Sequence, residues 1–122
     1  MSRTVDILRH TDEAARFAAG DVIFRMGEPG DVMYVVKSGK VDIVSCGALI
    51  DTVGPGGIIG EMALIGGEPR SATALARTDC VLTPIDERRF ESLVQQAPYF
   101  AVMVMRVLVD RLRRRAPVGY VG

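Results

Sequence analysis

The sequence predicts a mainly β fold in which an antiparallel β-roll, a double-stranded jelly roll, is followed by two C-terminal helices. Short runs rich in β-forming residues, separated by Gly- and Pro-rich turns, fill residues 14–86 and are typical of antiparallel all-β folds. Helical periodicity replaces this pattern over residues 87–115. A length of 122 residues suits one domain, so we expect residues 1–122 to form a single domain containing both parts.

The candidate strands follow one another at short intervals. Turn residues separate them, since Gly and Pro supply the backbone angles that tight turns require. Alternation of polar and apolar residues after Ser38-Gly39 predicts a β-hairpin at that point. The predicted strands are DVIFR (21–25), VMYVVK (32–37), KVDIVS (40–45), ALIDTV (48–53), TALA (73–76) and CVLTPID (80–86).

Two helices are predicted after the strands. Asp86 is a suitable N-cap for the first, and Pro98 either ends that helix or begins the next. The second helix, residues 99–114, is apolar on nearly all sides until Arg111, so we expect it to bury more than one face. The face of the first helix is defined by apolar residues at helical spacing, namely Phe90, Leu93, Val94 and Ala97.

The charge balance argues against a nucleic-acid-binding protein. Fifteen Lys and Arg residues match fifteen Asp and Glu residues, so the formal net charge is zero. We therefore expect no direct DNA binding. A local excess of +4 remains in the last helix, where Asp110 is outnumbered by Arg106, Arg111, Arg113, Arg114 and Arg115.

Signals for secretion, metal binding and membrane insertion are weak. Cys46 and Cys80 lie far apart in the sequence, and one histidine, His10, cannot supply an all-protein zinc site. The N-terminus lacks the apolar core of a signal peptide. The apolar run AVMVMRVLV is about half of the roughly 20 residues that a spanning helix needs. We expect a cytoplasmic protein with reduced thiols, no metal and no membrane span.

The segment GEMALIGGEPRSA, residues 60–72, places a few charged groups among glycines and apolar residues. Gly60 permits close approach of a ligand to the backbone, and the residues after it can form one helical turn whose free N–H groups favour an anion. Arg70 can bind phosphate oxygens, with Ser71 adding a hydroxyl, while ionised Glu61 accepts from a donor such as a sugar hydroxyl. Together these groups fit a small phosphorylated sugar.

Two structural interpretations of the acid and the arginine stay open on chemistry alone. Glu61 and Arg70 can pair with each other, because charged groups are costly to bury without partners. Alternatively, both lie on a solvated loop. In either case the segment would have no ligand.

The same segment, extended to GEMALIGGEPRSATA, resembles the phosphate-binding cassette of the cyclic nucleotide-binding domain family. AAGDVIFRMGEPGDVMYVVKSGKV and DTVGPGGIIGE resemble the opening strands and the approach to the cassette, so the resemblance covers roughly residues 14–115. Ile58 and Ile59 depart from it, since many relatives carry aromatic residues there. We expect that departure to change packing more than chemistry.

The resemblance implies roles for individual residues. Glu61 would accept from the ribose 2′-hydroxyl, and Arg70 would bind the exocyclic phosphate oxygens of a 3′,5′-cyclic nucleotide. Backbone amides near Met62, Ala63 and Ala72 would complete the phosphate site. The expected ligand-binding residues are Gly60, Glu61, Met62, Ala63, Arg70, Ser71 and Ala72.

The purine and its cap are less well determined by the sequence. A hydroxyl beside the arginine can assist guanine, yet relatives selective for cyclic AMP also carry one, so Ser71 does not discriminate. We expect cyclic AMP, with cyclic GMP as the alternative. The resemblance implies a base cap from the last helix, for which Arg111 is the first candidate and Tyr120 the second. A solvated arginine is the other interpretation of Arg111.

The resemblance also implies how occupancy would be relayed. Ligand binding would shift the arrangement of the last helix, with Leu64 and Ile65 packing against its apolar residues Val104, Val107 and Leu108. An apolar surface over residues 103–109 suggests a homodimer through residues 99–114. The downstream effector is unknown from the sequence.

Other classes of protein fit less well. The cupin type of metal enzyme needs clustered histidines, GPGGIIG lacks the spacing of a dinucleotide fingerprint, and SGKV lacks the rest of a P-loop. We therefore expect no catalysis and no cofactor besides the ligand. An interaction or dimerisation module that keeps the fold without binding nucleotide is the alternative. Few residues precede the first strand, and no DNA-reading, kinase or channel segment follows, so we expect a stand-alone sensor or an excised domain.

Overall fold

Eight strands and three helices make up residues 14–115, the part of the chain that the computed structural model describes. The strands are β1 (Ala15–Phe17), β2 (Val22–Phe24), β3 (Val32–Ser38), β4 (Val41–Ser45), β5 (Ala48–Val53), β6 (Ile58–Ile59), β7 (Thr73–Ala76) and β8 (Cys80–Asp86). The helices are α1 (Glu61–Gly66), α2 (Glu87–Gln96) and α3 (Pro98–Arg115).

The strands form two antiparallel four-stranded sheets. One sheet has the order β1-β8-β3-β6 and the other has the order β2-β7-β4-β5. Strands adjacent in a sheet are mostly distant in sequence, which is the topology of a roll. The predicted fold class, a β-roll containing a short helix and followed by two helices, is confirmed.

The hairpin predicted at Ser38-Gly39 is wrong. β3 pairs with β6 and β8, whereas β4 pairs with β5 and β7, so the chain crosses from one sheet to the other at this turn. Polar–apolar alternation identifies strands but not the sheet to which each belongs, which depends on long-range pairing. The strands that do form a hairpin are β4 and β5, which are joined at Cys46-Gly47.

Two apolar clusters lie on opposite faces of the first sheet. One cluster joins the two sheets and includes Val36 and Leu82. The other lies under the helices, and its buried members are Met33, Val35, Ile58, Ile85, Leu93, Ala97, Phe100 and Val104. Adjacent residues of β3, Val35 and Val36, enter different clusters because successive side chains of a strand point to opposite faces.

Helices α2 and α3 begin where the sequence predicts, after Asp86 and at Pro98. The Asp86 side chain accepts a hydrogen bond from Arg89 N at 2.8 Å and caps α2. Pro98 is the first residue of α3, a position where its missing N–H costs nothing. Phe100 of α3 is fully buried and packs on Phe90 of α2, with ring centroids 5.7 Å apart. Within residues 14–115 no helix has the length and hydropathy needed to cross a membrane.

Candidate functional site

A cavity of about 220 Å³ lies between the second sheet, α1 and α3. All seven predicted site residues line it, together with Arg111. The structure thus brings the predicted residues to one place, although they come from two separate stretches of chain. The lining residues are Phe24, Ile43, Ser45, Ile50, Asp51, Gly60, Glu61, Met62, Ala63, Arg70, Ser71, Ala72, Arg111 and Arg114.

The backbone of Arg70 is fixed by a turn near the beginning of the roll. Arg70 N donates to Glu28 O at 2.8 Å, and Gly27 N donates to Arg70 O at the same distance. Glu28 in turn accepts from Arg25 N through its side chain at 2.6 Å. The turn GEPGD, residues 27–31, therefore holds the arginine at the cavity wall.

The Arg70 guanidinium is buried and held by main-chain carbonyls. Its Nη1 donates to Gly60 O at 3.2 Å and its Nη2 donates to Val32 O at 2.7 Å. The guanidinium carbon lies 4.1 Å from the ring centroid of Phe24, within cation–π distance. Only 6% of the residue is exposed.

Two glycines make room for this guanidinium. A Cβ on Gly30 would lie 2.5 Å from Arg70 Nε and 2.7 Å from the Cβ of Ala63. A Cβ on Gly60 would lie 2.5 Å from Arg70 Nη1, and Gly60 also has a φ of +78°, which favours glycine. Side chains at these positions would push the arginine away from its carbonyl partners.

Arg70 has no carboxylate partner among residues 14–115. Burial lowers the pKa of Arg70 from its usual value, yet an arginine keeps its charge in proteins. Its Nε is buried and hydrogen-bonds to no described atom. A buried cation that forms no ion pair within residues 14–115 favours an incoming anion, with which it can form charge-assisted hydrogen bonds.

Glu61, the first residue of α1, is fully buried and pairs with an arginine from the last helix. Arg111 Nη1 donates to Glu61 Oε1, and Arg111 Nη2 donates to Ile58 O at 3.0 Å. Glu61 Oε2 is buried and hydrogen-bonds to no described atom. The structure thus excludes both a Glu61–Arg70 pair and a solvated loop.

Burial raises the pKa of Glu61 above its ordinary value of 4.5. The ion pair with Arg111 opposes this shift without cancelling it. When ionised, the carboxylate is an acceptor only, so the second oxygen suits a hydroxyl or amide donor. The site therefore combines a buried cation with a hydrogen-bond acceptor in one cavity.

The sequence did not reveal several residues that build the site. The ring of Phe24 and the carbonyl of Val32 contact the Arg70 guanidinium, and Gly30 leaves room for it. These three residues lie about 40 positions before Arg70 in the chain. The sequence GEPGD, residues 27–31, indicated only a turn. Arg111 lies at the cavity as predicted, but its side chain is 20% exposed and engaged with Glu61, so it is not a solvated arginine. Tyr120 and His10 lie outside the described residues. Residues 14–115 contain no cluster of His, Cys, Asp or Glu suited to a metal ion.

Comparison with known proteins gives the family context of this geometry. The model of the cyclic nucleotide-binding domain family matches residues 14–97. A cyclic nucleotide-gated potassium channel of Mesorhizobium japonicum is 39% identical over 107 residues, which are 88% of this chain and 29% of the channel. The cAMP-dependent protein kinase regulatory subunit of Eremothecium gossypii is 35% identical over 99 residues, 81% of this chain and 21% of the subunit.

The solved structures agree on the fold. The catabolite activator protein of Thermus thermophilus superposes with a TM-score of 0.78 at 29% identity, covering 94% of this chain and 56% of that protein. This chain spans less than a third of the two curated relatives and just over half of the solved one. The similarity therefore concerns the domain that these proteins share.

The close packing of Gly30 against Arg70 can be tested by adding a side chain at position 30. Gly30→Ala should lower the free energy of unfolding by about 1–3 kcal/mol, because its Cβ would overlap the guanidinium and Ala63. Gly54→Ala is the matched control, since its Cβ would meet no atom within 4 Å. Urea denaturation of both variants measures the difference, and equal stabilities would show that the guanidinium moves aside at no cost.

The raised pKa of Glu61 predicts a pH dependence of stability. The folded chain holds this proton more strongly than the unfolded chain, so the associated stability is present below about pH 4.5 and lost as pH rises through the folded pKa. The unfolding free energy of the wild type should therefore fall relative to that of Glu61→Gln as the pH rises above about 4.5. Urea titrations across this range provide the measurement. A relative rise would mean that pairing with Arg111 outweighs burial.

Proposed function

This chain belongs to the cyclic nucleotide-binding domain family, and from that membership we propose that it binds a 3′,5′-cyclic nucleotide in the cavity as a regulatory sensor. The single observation that carries the proposal is the buried guanidinium of Arg70, which lines the cavity without a carboxylate partner in residues 14–115. A cyclic phosphate carries one negative charge and exposes two oxygens that this group can bind.

The remaining polar groups fit the sugar and the phosphate. Glu61 accepts from the ribose 2′-hydroxyl, for which an ionised carboxylate is a suitable partner. Gly60 and the backbone amides near Met62, Ala63 and Ala72 approach the phosphate, with the Ser71 hydroxyl beside them. All of these residues line the same cavity as Arg70, which supports a single ligand that spans them.

The base would lie against the wall formed by the second sheet. Ile43 of β4 and Ile50 of β5 line the cavity and offer apolar surface to a purine. We propose cyclic AMP as the ligand, supported by the similarity to a kinase subunit that is named for cAMP. Cyclic GMP is the alternative, because Ser71 serves either purine.

Occupancy would be relayed through α3. Leu64 of α1 packs against the cluster that contains Val104 of α3, while Ile65 is 45% exposed and does not share that packing. Movement of α1 on ligand binding would therefore reach α3 through Leu64. The role is regulatory and non-catalytic, in keeping with the relatives, and the free thiols Cys46 and Cys80 suit a reducing cytoplasm.

Removal of the guanidinium tests the site. Arg70→Ala should weaken binding of cyclic AMP and cyclic GMP at least about tenfold, because a charge-assisted contact worth about 1.5–3 kcal/mol is lost. Arg77→Ala is the matched control, since that exposed arginine pairs with Asp42 at 3.0 Å outside the cavity. Calorimetry with each nucleotide provides the dissociation constants.

The outcomes separate three possibilities. Weaker binding by Arg70→Ala but not by Arg77→Ala supports the proposal. Equal binding by all three proteins would place the ligand elsewhere. Absence of binding by the wild type would favour the alternative, an interaction module that keeps the fold without nucleotide.

We further propose that α3 pairs with α3 of a second copy. Its exposed apolar residues recur at i, i+3, i+7 and i+10, the spacing of a coiled-coil seam. The sequence predicts this surface at residues 103–109, and these residues divide between two faces of α3. Val104, Val107 and Leu108 pack on the helical core, whereas Met105 and Val109 are exposed. The exposed stripe consists of Val102, Met105, Val109 and Leu112, which are 43%, 54%, 46% and 55% exposed.

A charge in the stripe should abolish this association. Met105→Glu places a carboxylate in the seam and should give a monomer, whereas Met26→Glu, at a methionine 41% exposed elsewhere, should leave the dimer intact. Sedimentation equilibrium at about 50 μM resolves the two states, and a monomeric wild type would reject the dimer.

A further inference from the structure

We infer that Phe24 is a positioning residue for Arg70: its ring holds the guanidinium where it can bind a phosphate, and it acts on the ligand only through that arginine. The inference rests on the proposed function, in which Arg70 is the phosphate-binding group. It starts from one contact, since the guanidinium carbon of Arg70 lies 4.1 Å from the centroid of the Phe24 ring. Both residues line the cavity.

An irregularity in strand β2 lies directly beside Phe24. Val22 pairs with Leu75 and Phe24 pairs with Ala74, so two steps along β2 correspond to one step along β7. One extra residue in a strand is a β-bulge, which changes the direction in which the neighbouring side chains point. The ring packs on the backbone of Gly60, where an added Cβ would lie 3.4 Å from Phe24 Cε2. The bulge thus places the ring between this glycine and Arg70.

The ring and the main chain restrain different parts of the guanidinium. Hydrogen bonds to Gly60 O at 3.2 Å and Val32 O at 2.7 Å fix its two terminal nitrogens. The Phe24 ring lies against the carbon between those nitrogens. The attraction between a cation and an aromatic ring strengthens where water is excluded, and only 6% of Arg70 is exposed. Without the ring, the guanidinium would lose its restraint on this side.

The contacts of Arg70 with the protein leave donors for an anion. A guanidinium has five N–H donors, and the bonds to Gly60 O and Val32 O use two of them. The contact between the ring and the guanidinium carbon uses none. A restrained side chain loses less conformational freedom when it binds an anion, and preorganisation of this kind strengthens binding. Phe24 therefore contributes to phosphate affinity although it offers no polar atom.

A different role for Phe24 is that of an apolar wall residue that touches the ligand directly. The two roles differ in their consequences when the Arg70 side chain is removed. A positioning residue then has no effect on binding, whereas a wall residue keeps its effect. A double-mutant cycle between the two positions therefore separates the two roles.

The experiment compares Phe24→Leu, Arg70→Ala and the double variant with the wild type, using calorimetry with cyclic AMP and with cyclic GMP. Leucine keeps an apolar side chain at this partly buried position but lacks the ring. We expect Phe24→Leu to weaken binding about fivefold when Arg70 is present and less than about twofold when Arg70 is replaced. Phe24→Tyr retains a ring and should bind within about twofold of the wild type.

Phe17→Leu is the matched control. Phe17 packs against the same apolar cluster and contacts the ring of Tyr34 with centroids 6.5 Å apart, but it does not line the cavity. Its substitution should leave nucleotide binding unchanged. NMR of the Arg70 Nε–H proton provides a measurement that needs no ligand. Phe24→Leu should move this resonance, because an aromatic ring shifts the signals of nearby protons, whereas Phe17→Leu should not.

The remaining outcomes each decide one claim. Wild-type affinity in Phe24→Leu overturns the positioning role, and so does an equal loss with and without Arg70. A loss in Phe24→Tyr as large as that in Phe24→Leu also overturns it. If the wild type binds neither nucleotide, the proposed function fails, and the NMR measurement decides the role of the ring. A shifted Arg70 resonance in Phe24→Leu alone then supports positioning by the ring, and an unchanged resonance overturns it.

Discussion

The buried guanidinium of Arg70 is the constraint around which the rest of the site is arranged. A cation with 6% exposure and no carboxylate partner in residues 14–115 is unfavourable unless other groups compensate for its lost hydration. The carbonyls of Gly60 and Val32 and the ring of Phe24 compensate in part. These partners come from three segments of the chain, so the roll must be assembled before the guanidinium is held in this position.

Helix α3 links this site to the surface of the molecule. One face of α3 contributes Phe100 and Val104 to the core, the end of the helix carries Arg111 to Glu61, and the remaining apolar stripe faces solvent. A change at the carboxylate therefore acts on an element that also carries the proposed dimer surface. If the chain binds a nucleotide and dimerises as proposed, α3 would couple ligand occupancy to association.

Local signals in the sequence predicted six of the eight strands in residues 14–115, without β1 and β6, and they were insufficient for the pairing. Strand β8 and the cap at Asp86 occur where composition and turn chemistry place them. The hairpin expected at Ser38-Gly39 does not occur, because β3 and β4 join different sheets. Sheet membership depends on contacts with β7 and β8, whose paired residues lie 29–54 positions further along the chain, and local periodicity does not encode these contacts.

By itself, the sequence determined the fold class and a short segment, residues 60–72, that holds Glu61 and Arg70. It could do so because glycine spacing, helix formation and the arginine are local features. Only the tertiary structure decided the partner of each charge: Arg70 meets carbonyls and a ring, and Glu61 meets Arg111, 50 residues away. The physical reason is that pairing between charges depends on distance in space, and α3 reaches the cavity only after it packs on the roll.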